Sequence, residues 1–186
     1  MMSAAPWTVV GRSTVFCGGP IQEVAVEHVR LHDGREITDD FQIRMVDFAL
    51  VFATGDDGRV MTLRQYKHGL RRESGGALRS GESPLEAARR ELLEETGCVA
   101  EGWIEYGTYV TNANQYCNIA HLFRADGCRL LSTPTSPDLE RPEMLFSSEQ
   151  ELLRPDLFHQ FGLAGHAALL AIATHPALRG QPATQT

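Results

Sequence analysis

The 186 residues suit one domain with a real hydrophobic core, and a formal charge of −7 argues against a general nucleic-acid-binding surface, leaving room only for a local basic pocket. The longest apolar runs, such as 167–173, are far too short to cross a bilayer. Four cysteines (Cys17, Cys98, Cys117, Cys128) form no C-x-x-C pair, which excludes a disulfide framework and predicts free, buried thiols in a reducing compartment.

In chain order, the N-terminus MMSAAPWTVV lacks a basic region followed by an apolar block, so no secretory signal is expected and the protein is expected in the cytoplasm. Residues from about 7 to 46 read as short antiparallel strands. Asp33-Gly34 is a hairpin signal, and Phe41, Ile43 and Met45 alternate with Gln42 and Arg44 as in a half-buried strand. Phe48–Ala53 is a continuous apolar run of strand length, and Asp57-Gly58 turns the chain into an alternating Val60–Tyr66. After a Gly75-Gly76 loop and a helix come strand candidates at Trp103–Val110 and Ala120–Arg124, a proline-bearing loop over 131–142, and a strand at Met144–Ser147. A final amphipathic helix is predicted over Glu149–Leu153 and, past Pro155, over about Leu163–Thr174, with a frayed tail from Pro176. Strands on both sides of a loop-plus-helix predict an α/β fold, a mixed sheet sandwiched by helices.

The helix between the glycines carries the chemistry. Ser83-Pro84-Leu85-Glu86 is a capping box with proline at the first helical position, and Gly97 supplies a left-handed end. Leu85, Ala88 and Leu92 form the apolar stripe, while Glu91, Glu94 and Glu95 crowd an adjacent arc about 100° wide. Like charges four apart cost roughly 0.2–0.5 kcal/mol, and anions in a last turn oppose the helix dipole by about 0.3–1 kcal/mol each. Arg90, four residues from both Glu86 and Glu94, offsets part of this; the remainder calls for a counter-charge. Bound divalent cations facing a phosphate-rich substrate supply one.

Gly76, five residues, Glu82, seven residues, Arg90-Glu91-Leu92, one residue, Glu94-Glu95, one residue and Gly97 reproduce the pattern G-x5-E-x7-R-E-U-x-E-E-x-G-U. This resembles the Nudix box; only Cys98, in a slot usually aliphatic, departs from it. RLHDGREI, RQYKHG and AHLFRADG resemble stretches of the ADP-ribose pyrophosphatase branch, so the likeness covers residues from about 24 to 175. The resemblance implies an α/β/α sandwich over 47–175. It is preceded by an N-terminal β subdomain (1–46), exchanged between the subunits of a homodimer, and followed by a flexible tail (176–186).

It further implies magnesium or manganese held by Glu91, Glu94, Glu95 and the carbonyl of Gly75, with Arg90 orienting the carboxylates and Glu82 pairing with Arg90 or steadying the loop. The general base is Glu91 or a later-loop glutamate, Glu140 or Glu143, with Glu143 preferred as nearer a strand. Arg64, Lys67 and His68 are candidates to touch substrate phosphate, and Tyr66, Trp103 and Phe146 to stack on a base, against a default of solvated strand end and core packing respectively. No histidine pairing suggests zinc, and no G-K-[ST] follows the glycines, so there is no P-loop.

Two stretches depart from the ADP-ribose branch: Arg72-Glu73-Ser74-Gly75-Gly76 lacks the usual proline, and Thr111-Asn112-Ala113-Asn114 lacks another. The reading is therefore a metal-dependent pyrophosphohydrolase acting on a small-molecule nucleotide, a nucleoside diphosphate linked to another group, with ADP-ribose leading. It needs no nucleic-acid or membrane partner. The alternatives are a nucleoside triphosphate pyrophosphohydrolase and a non-catalytic nucleotide sensor.

Overall fold

The computed structural model describes residues 6–64, 81–135 and 142–179, which fall into two compact units. One comprises the chain up to Asp47 together with Val110–Ile119; the other comprises Phe48–Tyr109 and the chain from Ala120 onward.

The first unit is built on an antiparallel meander of β1 (Thr8–Gly18), β2 (Ile21–Arg30) and β3 (Glu36–Met45), strands longer than the short ones expected. Asp33-Gly34 makes the predicted turn: Gly34 takes φ 86°, open to glycine at no steric cost, and Asp33 Oδ1 accepts the Arg35 amide at 3.1 Å. The register puts Phe16, Val24 and Ile43 in one row and Val26 and Phe41 in the next, on one face. Phe16 and Phe41 are about half exposed, at 51% and 52%. The opposite face buries Ala25, Glu27 and Val29, and the Glu27 carboxylate is held by the Arg12 guanidinium.

The second unit contains β4 (Phe48–Gly55), β5 (Val60–Arg64), α1 (Pro84–Thr96), β6 (Cys98–Val99), most of β7 (Gly102–Asn112), β8 (Tyr116–Leu130) from Ala120 on, β9 (Glu143–Ser147), α2 (Glu149–Leu152), α3 (Pro155–Phe158) and α4 (Ala164–Thr174). Its strands run in the order β8-β4-β5-β9, with β6 and β7 also pairing with β8. The β4–β8 pair is parallel and β4–β5 and β5–β9 are antiparallel, so the sheet is mixed.

The apolar run 48–53 is explained by burial on both faces of β4. Leu50 and Phe52 share a core with Leu169, Leu170 and Ala173 of α4, whereas Ala49 and Ala53 pack toward Ala88 and Leu92 of α1. Helices thus flank the sheet on both sides, the expected α/β sandwich. Each fully buried leucine or phenylalanine contributes roughly 1.5–3 kcal/mol, so α1 is anchored by its apolar stripe independently of its acidic face.

Several expectations are corrected. Strand β8 runs well beyond Ala120–Arg124, because β6 adds a partner at its far end through Cys98↔Leu130 and Val99↔Arg129. The single C-terminal helix is three helices, α2, α3 and α4, broken at Arg154-Pro155 and again before Leu163. All four thiols are free, yet only Cys98 and Cys128 are buried, and Cys17 is exposed. Among the described residues no helix is long and apolar enough to cross a membrane.

Candidate active site

Helix α1 starts as its sequence demands. Ser83 Oγ accepts the Glu86 amide at 3.3 Å, and the Glu86 carboxylate accepts the Ser83 amide at 2.8 Å, closing the capping box behind Pro84. The helix ends at Gly97, whose φ of 72° is the left-handed cap and whose amide donates to the Leu93 carbonyl at 2.8 Å. Beyond it, the Gly97 carbonyl accepts the amides of Leu131 and Ser132 at 2.8 and 3.1 Å, and the Glu94 carbonyl accepts that of Thr135 at 2.9 Å. Residues 131–135 therefore strap the acidic end of the helix in place.

Arg90 organises the glutamates. Its Nε and Nη2 donate to the two carboxylate oxygens of Glu82, each at 2.8 Å, in a bidentate fork. Its Nη1 donates to Glu91 Oε1 at 2.6 Å and Glu94 Oε2 at 3.0 Å. These charge-assisted bonds, led by those to Glu82, push the arginine's pKa upward. The Arg90 side chain is only 16% exposed, so the contacts are sheltered from competing water. Glu86 serves Ser83 instead of Arg90, which the four-residue spacing had suggested as its partner. Three carboxylates, those of Glu82, Glu91 and Glu94, thus share one guanidinium.

Glu91 and Glu95 line a cavity of about 240 Å³ together with Arg64, the last residue of β5. Glu94 is not in that wall and is turned toward Arg90. Strand register sets Arg64 opposite Glu143, and Arg64 Nη1 donates to Glu143 Oε2 at 3.1 Å; both side chains are exposed. Glu143 stands beside the cavity and is not part of its lining. Gly75, Lys67, His68, Tyr66, Gly76 and Glu140 lie outside the described residues.

Trp103 packs edge-on against Phe123 and under Arg89, and Phe146 lies under Arg59, so both rings have structural partners. The sequence reading missed the wall formed by Gln160, Phe161 and His166. The only advance signal was His166 lying three and four residues before Leu169 and Leu170, on a core-facing helical stripe.

Carboxylate oxygens are the donors a hard divalent cation prefers, so Glu91 and Glu95 facing one cavity fit such an ion by chemistry. Among the described residues, however, no three carboxylate, imidazole or thiol groups converge on a single point that could hold it.

The NUDIX domain family model matches residues 44–159, well over half of the chain. The chain is a member of the Nudix hydrolase family. A curated relative, the ADP-ribose pyrophosphatase of Bacillus subtilis (strain 168), is 28% identical over 126 residues, covering 66% of this chain and 67% of its own. A solved structure described as an ADP compounds hydrolase superposes with a TM-score of 0.73, covering 91% of this Nudix hydrolase and 93% of its own chain. At 20% identity that likeness establishes the fold. The box residues Glu82, Arg90, Glu91, Glu94 and Glu95 all fall inside the matched segment.

Proposed function

We propose that this Nudix hydrolase cleaves, with divalent cations, the pyrophosphate of a nucleoside diphosphate linked to a sugar or similar group, with ADP-ribose as the leading substrate. The observation that carries the reading is the shared cavity of Glu91, Glu95 and Arg64, which sets two anionic oxygen donors and one cation around the same space. The name of the Bacillus subtilis relative supports the choice of ADP-ribose.

In this reading Glu91 and Glu95 hold magnesium or manganese, with Glu94 and the Gly75 carbonyl as further ligands. Bound there, the ion would neutralise phosphate oxygens and lower the pKa of a coordinated water. Arg90 holds Glu91 and Glu94 in register, and its bidentate grip on Glu82 keeps the guanidinium from swinging away. Arg64 engages a substrate phosphate. Glu143, oriented by Arg64, takes the proton of the attacking water at a carboxylate oxygen. The water oxygen bonds to one phosphorus, the bridging P–O bond breaks, and the bridging oxygen leaves with the other phosphate. Full turnover in Glu143→Gln would eliminate it as the base.

The N-terminal strands (1–46) support a homodimer. Phe16 and Phe41, each about half exposed on one sheet face beside Val24, Val26 and Ile43, form an apolar surface suited to a second copy. Light scattering should report a dimer for the native chain and a monomer for Phe41→Asp; a monomeric native protein would refute this. Four free thiols fit the reducing cytoplasm.

The test of the reaction is a magnesium assay of nucleoside diphosphate sugars, dinucleotides and nucleoside triphosphates in heavy-oxygen water. ADP-ribose should give AMP and ribose phosphate, with the label on one product identifying the attacked phosphorus. Preferential release of pyrophosphate from triphosphates would overturn the assignment.

A further inference from the structure

The cavity that holds Glu91, Glu95 and Arg64 has a second wall, and its chemistry is different. Residues of α3, α4 and the segment joining them contribute Leu157, Phe161, Leu169 and Leu170, interrupted only by the amide of Gln160 and the imidazole of His166 as side chains with hydrogen-bonding capacity. Among the described residues, the cavity's charged side chains, Arg64, Glu91 and Glu95, all come from β5 and α1. A ligand spanning the space would therefore put its phosphates against α1 and β5 and an uncharged part against the 157–170 wall.

The chemistry of that wall selects among uncharged groups. A sugar carries several hydroxyls, and each one buried without a partner costs roughly 1–3 kcal/mol. Leucine and phenylalanine side chains satisfy none of them. A nucleobase has two apolar faces and one polar edge, and so suits a largely apolar wall bearing two polar groups.

His166 is built for such an edge. Its helix is anchored by Leu169, Leu170 and Ala173 in the core, so the backbone from which the ring projects is held in place. Among the described residues nothing hydrogen-bonds its ring. Desolvation by burial pushes its pKa below the ordinary value, leaving a neutral imidazole with one donor and one acceptor nitrogen.

We infer that His166 is a specificity-determining residue that hydrogen-bonds the edge of the substrate's nucleobase, with Phe161 and the neighbouring leucines against the base face. This rests on the pyrophosphate reading only for where the phosphates lie. The test separates the two by measuring binding without turnover.

Titration calorimetry with AMP and with ribose 5-phosphate compares ligands that share the phosphorylated ribose and differ at C1, where one carries the base and the other a hydroxyl. His166→Ala should weaken AMP about tenfold, consistent with losing a buried hydrogen bond, and leave ribose 5-phosphate unchanged. His166→Gln, which keeps a donor and an acceptor, should recover most of the loss. Thermal unfolding of both variants checks that the fold persists. Equal weakening of the two ligands, no weakening of either, or no binding of AMP by the native protein would overturn the inference. Equal weakening would place the sugar or phosphate at this wall instead. A protein that binds AMP through His166 yet cleaves no diphosphate would retire the hydrolysis proposal while leaving this one standing.

Discussion

Arg90 reaches back eight residues to grip both carboxylate oxygens of Glu82, at 2.8 Å each, tying the chain before the helix to the middle of α1. The same guanidinium bonds Glu91 and Glu94, so one planar fork sets the direction of three acids. A lysine ammonium is a single point donor and cannot reproduce that geometry. Arg90→Lys should lower kcat about 10–100-fold, the usual cost of losing a group that orients metal ligands. The melting temperature should fall as well, because the site is sheltered and leaves Glu82 without its bidentate partner. Steady-state kinetics with a melting curve check both; unchanged kcat would show that the fork plays no part in turnover.

Glu94 and Glu95 are adjacent in sequence but not equivalent in space. Glu95 lines the cavity, and Glu94 accepts from Arg90 outside it. Glu95→Gln should therefore lower turnover and magnesium affinity more than Glu94→Gln, by about tenfold or more, since Glu95 already faces the cavity where the ion would sit, whereas Glu94 must leave Arg90 to ligate there and contributes less. Removing either charge relieves repulsion along the helix, so neither variant should melt more than slightly below the native protein. Calorimetric titration of magnesium and initial rates measure the contrast. Equal losses would mean that Glu94 swings into the cavity.

What was legible in the sequence is what is encoded locally. The Ser83–Glu86 box, the Gly97 cap and the face carrying Glu91, Glu94 and Glu95 follow from helical spacing alone, and the structure has the caps as read. The Arg90–Glu82 fork was expected only as one of two options, because it depends on how the chain enters the helix. Helix α3 escaped notice because four residues are too few to show a helical period. The far half of β8 was hidden by Asp126 and Gly127, which interrupt its apolar pattern; pairing with the distant Cys98–Val99 supplies what propensity lacks. His166 was one of seven histidines with no motif around it, and only the packing of α4 brings it to the wall opposite the glutamates.

Gly97 is held at φ 72°, and a Cβ there would collide with the carbonyl oxygen of Ser132, which is part of the 131–135 strap. Alanine must either strain the backbone or push the strap off the helix end. Gly97→Ala should cost about 1–3 kcal/mol, lowering the melting temperature by roughly 2–4 °C per kcal/mol for a chain of this size. Because Thr135 bonds the Glu94 carbonyl from the same strap, turnover should fall more steeply than stability alone explains at assay temperature. A variant with native melting and native kcat would show that the strap gives way freely.

Cys128 offers a test of the core under alkaline conditions. Burial pushes its thiol up to about 11, and Cys98 in the same cluster adds to the effect. The folded state therefore keeps the proton that the unfolded chain releases near pH 9. Its contribution to stability is complete below the unfolded pKa and is lost as pH rises toward 11. Urea unfolding between pH 8 and 11 should show a steeper loss of stability in the native protein than in Cys128→Ala; parallel curves would mean that the thiol is not desolvated. Native-state labelling gives an independent check. At pH 8 a thiol reagent should modify exposed Cys17 rapidly and reach Cys98 and Cys128 only on unfolding, because the thiolate is the reactive species and both side chains are buried.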